Sequence, residues 1–368
     1  MDKSSSQGNK RKVVCFHLFN DFSGSPTVLK GILEGMLNEG EKIDLITSKG
    51  GVLDNLKSPN LRRTHYAYKF SDNRAITTFR FVYAQIIMML VSFRYVFRKN
   101  TTFYINTILP VGAAVIGKLT AKKVIYHYHE NAYEKSRFYS VLARAMEKLA
   151  DEIVCVSEYQ ASLLKRKHGI KIIPNSLQPG FLSKLKPDTD AAFDRKNVLM
   201  ISSMKEYKGI KEFIEIASLL KYFNFTLVLN SEAGEIKKWI EDNNIKISNN
   251  LSIYQRPDEI ANFYNQASLV LNLSNPDLVV ETFGMTVLEA ISRGLPVIVP
   301  PVGGVAEMVA DGINGYKIHV KEISQIVGTI EKILSDKDLY SSLSKNALSF
   351  SKRFSYEKAL EEISKVLS

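Results

Sequence analysis

Short apolar runs alternate with amphipathic helical patterns along nearly the whole chain, and this alternation constrains the fold more than any other feature. "KVVCFHLF" (12–19) is followed by the loop "NDFSGSP" (20–26) and the helical pattern "TVLKGILEGMLNEG". "KIDLITS" (42–48) and "TTFYINTI" (101–108) read as strands, the second leading into "VGAAVIGKLTA". "KKVIYHYHE" (122–130) reads as a strand and "RFYSVLARAMEKLA" as a helix. "DEIVCVSEY" is a strand running into a helix, and "IKIIPN" (170–175) closes the series. Strand and helix in strict turn imply βαβ units on a mostly parallel sheet.

The stretch 178–194, "QPGFLSKLKPDTDAAFD", breaks the pattern with prolines, polar residues and charge, and a domain boundary is placed there. Alternation then resumes with "NVLMISS", "FTLVLNS", "LSIYQ", "LVLNLS" and "PVIVP" as strands, separated by helical patterns. The division expected is a polar, disordered tail (1–11), a first domain (12–178) and a second (179–352). Residues 353–368 are read as a C-terminal helix that can return to the first domain. The fold class is α/β, two Rossmann-like doubly wound domains facing a central cleft. Ligands in such sheets bind beyond the carboxyl ends of the strands, so the loops there carry the functional question.

Hydrophobic content of 45% and charged content of 24% are ordinary for a globular protein. Cys15 and Cys155 lie in apolar runs, as buried reduced thiols do. The start of the chain does not read as a secretory signal. The most apolar stretch, "FVYAQIIMMLVSF" (81–93), falls short of the roughly 20 residues a membrane-spanning helix needs. A soluble, cytoplasmic protein is therefore expected. Charge is uneven: residues 1–180 hold 27 Lys and Arg against 14 Asp and Glu, and residues 181–368 hold 22 against 24. A basic half suggests an anionic partner. Arg80, Arg94, Arg98 and Lys99 around the apolar stretch favour a membrane surface over nucleic acid, for which no aromatic-plus-basic recognition motif is found. The same pattern also fits a helix packed on its own domain.

"SNPDLVVETFGMTVLEAISRGLPVIVPPVGG" (274–304) is the most informative stretch. Gly284 allows a tight turn, Thr286 opens a helical pattern and Gly294 ends it. Glu281 then lies in the loop and Glu289 about one turn inside the helix. Backbone amides near Gly284, Met285 and Thr286 offer a site for phosphate oxygens between the two carboxylates. Read in isolation, the same pair fits a carboxylate near a helix dipole and a solvated face. "SSMKEYKGIKEF" (202–213) adds Lys205 and Lys208 in a loop between strand and helix, where ammonium groups suit a diphosphate. His127 and His129 share one strand face by alternation. With no third ligand at suitable spacing, a hydrogen bond to substrate is favoured over a metal, a core histidine being the other reading. The two Asp-x-Asp sequences, 188–190 and 336–338, sit at no strand end and are set aside.

Taken in order, these stretches resemble glycosyltransferase family 4, retaining enzymes of the GT-B fold. The residues that carry the likeness are the Gly/Ser loop at 23–25, "YHYHE", "DEIVCVSEY", "IIPNS", "MKEYKG", "ETFGMTVLEAISRGLPVIVP", "GG" and "DGINGY". The resemblance implies a nucleotide diphosphate-sugar donor and a glycan or lipid-linked acceptor in cell-surface polysaccharide or lipopolysaccharide assembly, with no metal or other cofactor. It places Glu281 on donor-sugar hydroxyls, Glu289 on the ribose and Lys208 on the diphosphate. Phe283, Gly284, Met285 and Thr286 would line the donor at the helix start. Gly24 and Ser25 would approach the diphosphate or acceptor, and His129 the sugar near its reacting carbon. The family usually has an arginine ahead of the lysine, where this chain has Ser202 and Ser203, and Lys205 is the substitute at hand. A peripheral contact of residues 80–99 with the inner face of the cytoplasmic membrane is a further expectation. The rival readings are a sugar-nucleotide epimerase and a catalytically silent sugar-nucleotide or membrane-binding module.

Overall fold

The structure, a computed structural model, describes residues 11–71, 73–257 and 259–368, so the segment expected to be a disordered tail lies outside it except for Arg11. The chain packs as two units, one running to Asn175 and including Glu357–Ser368, the other Ser176–Tyr356.

The first unit is built on seven strands: β1 (Lys12–His17), β2 (Lys42–Ser48), β3 (Leu61–Tyr66), β4 (Thr101–Asn106), β5 (Lys123–Tyr128), β6 (Glu152–Cys155) and β7 (Ile170–Ile172). Their order is β3-β2-β1-β4-β5-β6-β7, every neighbouring pair parallel. Central strands buried on both faces need apolar residues at successive positions, which is why they read as continuous runs rather than alternating ones. Val13–Phe16, Phe103–Ile105 and Val124–Tyr126 are fully buried. The chain starts at β1 in the middle and winds outward in both directions, so its switch point lies between β1 and β4.

Two features of this unit depart from expectation. Strand β3, "LRRTHY", is not recognisable as a strand in the sequence because it is an edge with only Tyr66 buried. The Tyr66 hydroxyl ties it inward by donating to the carbonyls of His17 (2.9 Å) and Leu18 (2.7 Å). The apolar stretch at 81–93 belongs to a longer helix, Arg74–Ser92, started by Asn73, whose side chain accepts from Ala75 N and Ile76 N. Together with the short turn after it, that helix is long and apolar enough to cross a membrane, which overturns the length argument made from the run alone. The C-terminal helix, Tyr356–Leu367, packs Leu360, Ile363, Val366 and Leu367 into this first unit. Its last carbonyls, which have no partner inside the helix, accept from Lys123 Nζ (2.7 Å) and Thr102 Oγ1 (3.4 Å).

The second unit has six strands: β8 (Asn197–Ser202), β9 (Asn224–Leu229), β10 (Leu251–Gln255), β11 (Leu269–Leu271), β12 (Val297–Val299) and β13 (Gly315–Lys317). Their order, β10-β9-β8-β11-β12-β13, repeats the plan of the first, again all parallel, with the switch between β8 and β11. Strand β13, "GYK", has no apolar run to mark it, unlike the equally short but fully buried β11 and β12. The stretch 178–194 is no open linker: it forms helices Pro179–Leu182 and Thr189–Arg195, and the division falls just before it. Its polar residues are structural. Asp188 caps the second of these helices (to Ala191 N, 3.0 Å) and Asp190 pairs with Lys337 (2.8 Å). Asp336 caps helix Lys337–Ser351 (to Leu339 N, 2.9 Å), so both Asp-x-Asp sequences serve helix ends.

Gly209, between β8 and helix Ile210–Leu219, has φ +73, and a Cβ on it would stand 2.3 Å from the carbonyl oxygen of Leu273. Only glycine meets both demands. Gly209→Ala is expected to lower the melting temperature by roughly 5–10 °C. Gly234→Ala, in a helix with open space beside it, should leave the melt unchanged or slightly raise it. Equal melts for the two variants would contradict this account of the loop.

Candidate functional site

In the second unit the loops after β8 and β11, on either side of the switch point, meet through their side chains. Lys208 follows β8 and Glu281 follows β11, and the two form an ion pair. Glu281 Oε1 accepts from Lys208 Nζ and from Ser274 Oγ (2.5 Å), and Oε2 accepts from Asn272 Nδ2 (3.0 Å). Three of a carboxylate's roughly four acceptor positions are thereby used, which leaves room for one more donor. Lys208 Nζ also reaches Ser274 Oγ at 3.4 Å. Burial opposes charge on both groups, yet their mutual attraction and these hydrogen bonds outweigh it. The Glu281 carboxyl is held below its ordinary range and the Lys208 ammonium above its own.

The backbone of Glu281 is fixed by the glycine pair after β12. Gly304 N donates to the Glu281 carbonyl (2.8 Å). Gly303 has φ +96, and a Cβ there would lie 2.6 Å from that same oxygen. Three residues on, Gly284 precedes helix Met285–Arg293, which Gly294 ends with φ +81. Gly284 has a negative φ and is not left-handed. Its small size matters instead because a Cβ would meet Val305 Cγ2 at 2.7 Å. Phe283 turns inward, buried, with its ring edge-on to Phe354 (centroids 5.9 Å), so only its backbone can face a ligand. The N–H groups of Gly284, Met285 and Thr286 belong to the helix start, where no intrahelical acceptor exists.

Glu289 lies one turn into that helix, half-buried, and accepts from the hydroxyl of the buried Tyr264. Burial pushes its carboxyl up to about 7, against the opposing pull of the Tyr264 hydrogen bond. Lys205 is not brought to Lys208's carboxylate partner. It is exposed and lines a hollow of about 440 Å³ with Met204, Trp239, Asn243 and Leu278. Ser202, where an arginine was expected nearby, is buried at the end of β8; its carbonyl receives Asn230 N (2.8 Å) and its hydroxyl donates to Ser203 O (3.0 Å).

In the first unit the carboxyl ends of β1, β4 and β5 bring His17, Asn106 and His127 into register on adjacent strands. All three are buried. His129 follows β5, its ring 4.1 Å from that of His127. Asn106 joins the group. Its Nδ2 faces the Ser25 carbonyl (3.4 Å) and His17 Nδ1 (3.0 Å), and its Oδ1 faces His129 Nε2 (2.9 Å). A carbonyl can only accept, so the amide's orientation is fixed, His129 donates from Nε2 and His17 accepts at Nδ1. The His17 proton is then on Nε2, a buried atom without a protein partner, as is Nε2 of His127. The Tyr104 hydroxyl meets His127 Nδ1 at 2.7 Å. Burial pulls His17 down to about 4 and His127 to about 3; burial and its two histidine neighbours hold His129 well below its ordinary value. All three rings are neutral at pH 7. Ser25 thus enters through its backbone, and Gly24, at the first residue of helix Gly24–Asn38, is exposed with open space around it. Among the described residues no group of three or more His, Cys, Asp or Glu is placed to hold a metal ion.

Sequence reading missed Asn106, His17, Asn272, Ser274 and Tyr264. Three of these, His17, Asn106 and Asn272, are buried polar residues at or just past the carboxyl ends of otherwise apolar strands. That contrast is the signal that would have found them.

Two parallel α/β units with their polar clusters at strand carboxyl ends make a GT-B fold, the class of many glycosyltransferases. Residues 183–350 match the family of glycosyl transferases group 1, so the second unit is a domain of that family. An uncharacterized glycosyltransferase of Methanocaldococcus jannaschii is 28% identical over 267 residues, covering 70% of this chain and 71% of that one. The lipopolysaccharide 1,2-N-acetylglucosaminetransferase of Salmonella typhimurium is 38% identical over 105 residues, 28% of this chain and 26% of that one. Among solved structures, Anabaena HepE in complex with UDP-glucose superposes with a TM-score of 0.77 at 18% identity, covering 97% of this chain and 99% of that one.

The Glu289 carboxyl yields a pH prediction. Its folded value, about 7, lies above the ordinary one of 4.5, so the folded state binds more protons between those values. Stability is therefore lost as pH rises through that window. Glu289→Gln keeps an acceptor for Tyr264 and removes the ionisation. Its melting temperature should match the parent's near pH 4.5 and exceed it increasingly up to pH 7, with no further divergence above. Parallel curves across this range would refute the assignment.

Proposed function

We propose that the protein transfers a sugar, with retention of configuration and without a metal, from a nucleotide diphosphate-sugar to a glycan or lipid-linked acceptor of a cell-surface polysaccharide or lipopolysaccharide. The Lys208–Glu281 pair beside the start of helix Met285–Arg293 carries this reading. It sets a fixed carboxylate, a cation and a group of outward N–H donors within one short stretch of structure. The free acceptor position on Glu281 suits a hydroxyl of the donor sugar, Lys208 and the N–H groups of Gly284, Met285 and Thr286 suit diphosphate oxygens, and Glu289 suits the ribose. Lys205, in its exposed loop, adds a second cation.

In the reaction the bond from the anomeric carbon to the diphosphate breaks, and a bond forms from that carbon to the acceptor oxygen. The departing diphosphate oxygen takes the acceptor's proton from the same face, so configuration is kept. Charge builds on the leaving group, and the fixed cations and amides lower the barrier by meeting it there. Glu281 is already committed to three hydrogen bonds, which fits it for holding hydroxyls better than for attacking carbon. His129, neutral and oriented by Asn106, is the first unit's proposed contact to the sugar. The UDP-glucose complex of the Anabaena neighbour and the activity named for the Salmonella relative support the donor and acceptor classes.

Slow hydrolysis of the donor provides a test that needs no acceptor. Incubated with UDP-glucose, GDP-mannose or ADP-glucose and followed by proton NMR, the protein is expected to release from one of them the α anomer first, undiminished by EDTA. Glu281→Ala should slow this release at least ~100-fold. A β anomer released first, or a rate that survives the substitution, would overturn the reading.

A further inference from the structure

The helix Arg74–Ser92 is apolar on two opposite faces. One face, with Ala84, Gln85, Met88 and Val91, is buried in the first unit. Gln85 fastens it there, donating to Leu109 O (3.1 Å) and accepting from Gly112 N (2.8 Å). The other face is bare: Ile76, Phe79, Val82, Tyr83, Ile86 and Leu90 are all exposed, Phe79 to 74%. Their spacing places them within roughly a third of the helix circumference. Phe93 and Phe97, the latter 97% exposed, continue the stripe. Helix Arg137–Leu149 extends it sideways with exposed Phe138 and Val141, Phe138 packing edge-on against Phe81 (5.5 Å). A contiguous apolar patch of this kind is uncommon on a free soluble surface and marks a contact site.

Charge identifies the partner. No Asp or Glu occurs between Asn73 and His129. Arg74, Arg94, Arg98 and Lys99 stand exposed at the two ends of the stripe and Arg137 and Arg144 beside it. None of the six pairs with a carboxylate among the described residues. A protein partner for so apolar a stripe would need neither a helix free of carboxylates nor, at both its ends, cations without a carboxylate partner among the described residues. An anionic lipid surface uses both, acyl chains taking the aromatic side chains and headgroups the cations. The buried face settles the orientation. Crossing the bilayer would tear Gln85, Met88 and Val91 out of the core, so the helix lies in the interface.

We infer that this face of the first unit docks in the plane of an anionic bilayer, with Phe79, Ile86, Leu90 and Phe97 inserted and Arg74, Arg94, Arg98 and Lys99 at the headgroups. The inference rests on the first unit alone and stands or falls separately from the donor site.

The full chain is sedimented with vesicles of phosphatidylcholine, with and without 30% phosphatidylglycerol (~30%, enough for a strong surface potential). Binding is expected to the anionic vesicles only and to weaken with salt. Phe79→Asp with Leu90→Asp, and separately Arg94→Glu with Arg98→Glu and Lys99→Glu, should each reduce it ~10-fold. Thermal melts of the variants should match the parent because every changed side chain is exposed. An independent readout uses Ile86→Trp with Trp239→Phe, which leaves one tryptophan: its emission should shift to the blue and be quenched by brominated lipid. Three outcomes would each overturn the proposal: no binding by the parent, binding indifferent to both charge and apolar substitutions, or a face that only mediates self-association by sedimentation velocity.

Discussion

A lysine and a glutamate 73 positions apart neutralise each other at the switch point of the second unit, and the loops around them are arranged so that they can. Lys208 reaches the pair because Gly209 adopts a left-handed turn against the Leu273 carbonyl. Glu281 is held at its backbone by Gly303 and Gly304 and at its carboxylate by Ser274 and Asn272. Connections from β8, β11 and β12 therefore converge on one ion pair. Desolvation makes such a pair weak as a source of stability, and removing one partner is costly because the other charge is left unmet. Its position at a strand end suits what two fixed, ionised groups can do for a charged ligand.

The first unit solves a different problem. Three imidazoles in a buried cluster would repel one another if charged, and burial keeps them neutral. One amide, Asn106, then sets which nitrogen of His17 and of His129 carries the proton. Neutral, oriented histidines present a donor or an acceptor at a known atom without a charge to desolvate, which suits recognition of sugar hydroxyls.

Much of this organisation was legible in the residues. The doubly wound plan followed from central strands such as "KVVCFH" and "TTFYIN", because burial on both faces writes an uninterrupted apolar run. Glu281 in a loop and Glu289 one turn into a helix followed from the glycines that bracket Met285–Arg293. What stayed hidden was tertiary. Edge strand Leu61–Tyr66 reads as polar because only Tyr66 on it is buried, and β13, "GYK", carries no apolar run. The helices at 179–195 read only as a break between domains because the residues that cap a helix are the ones that also make turns. The partnership of Lys208 with Glu281, and the role of Asn106, depend on distances across the sheet that no local pattern records.

The claim that the ion pair is the core of a donor site is tested most directly by calorimetric titration of UDP-, GDP- and ADP-sugars into the parent chain, Lys208→Met, Glu281→Met and the double variant, with melts of each. Each single change should destabilise the fold by roughly 2–4 kcal/mol, since a part-buried charge is left alone, and weaken binding of the preferred donor at least ~10-fold. The double variant should regain most of the stability and none of the affinity. Full affinity in a stable double variant would contradict the account.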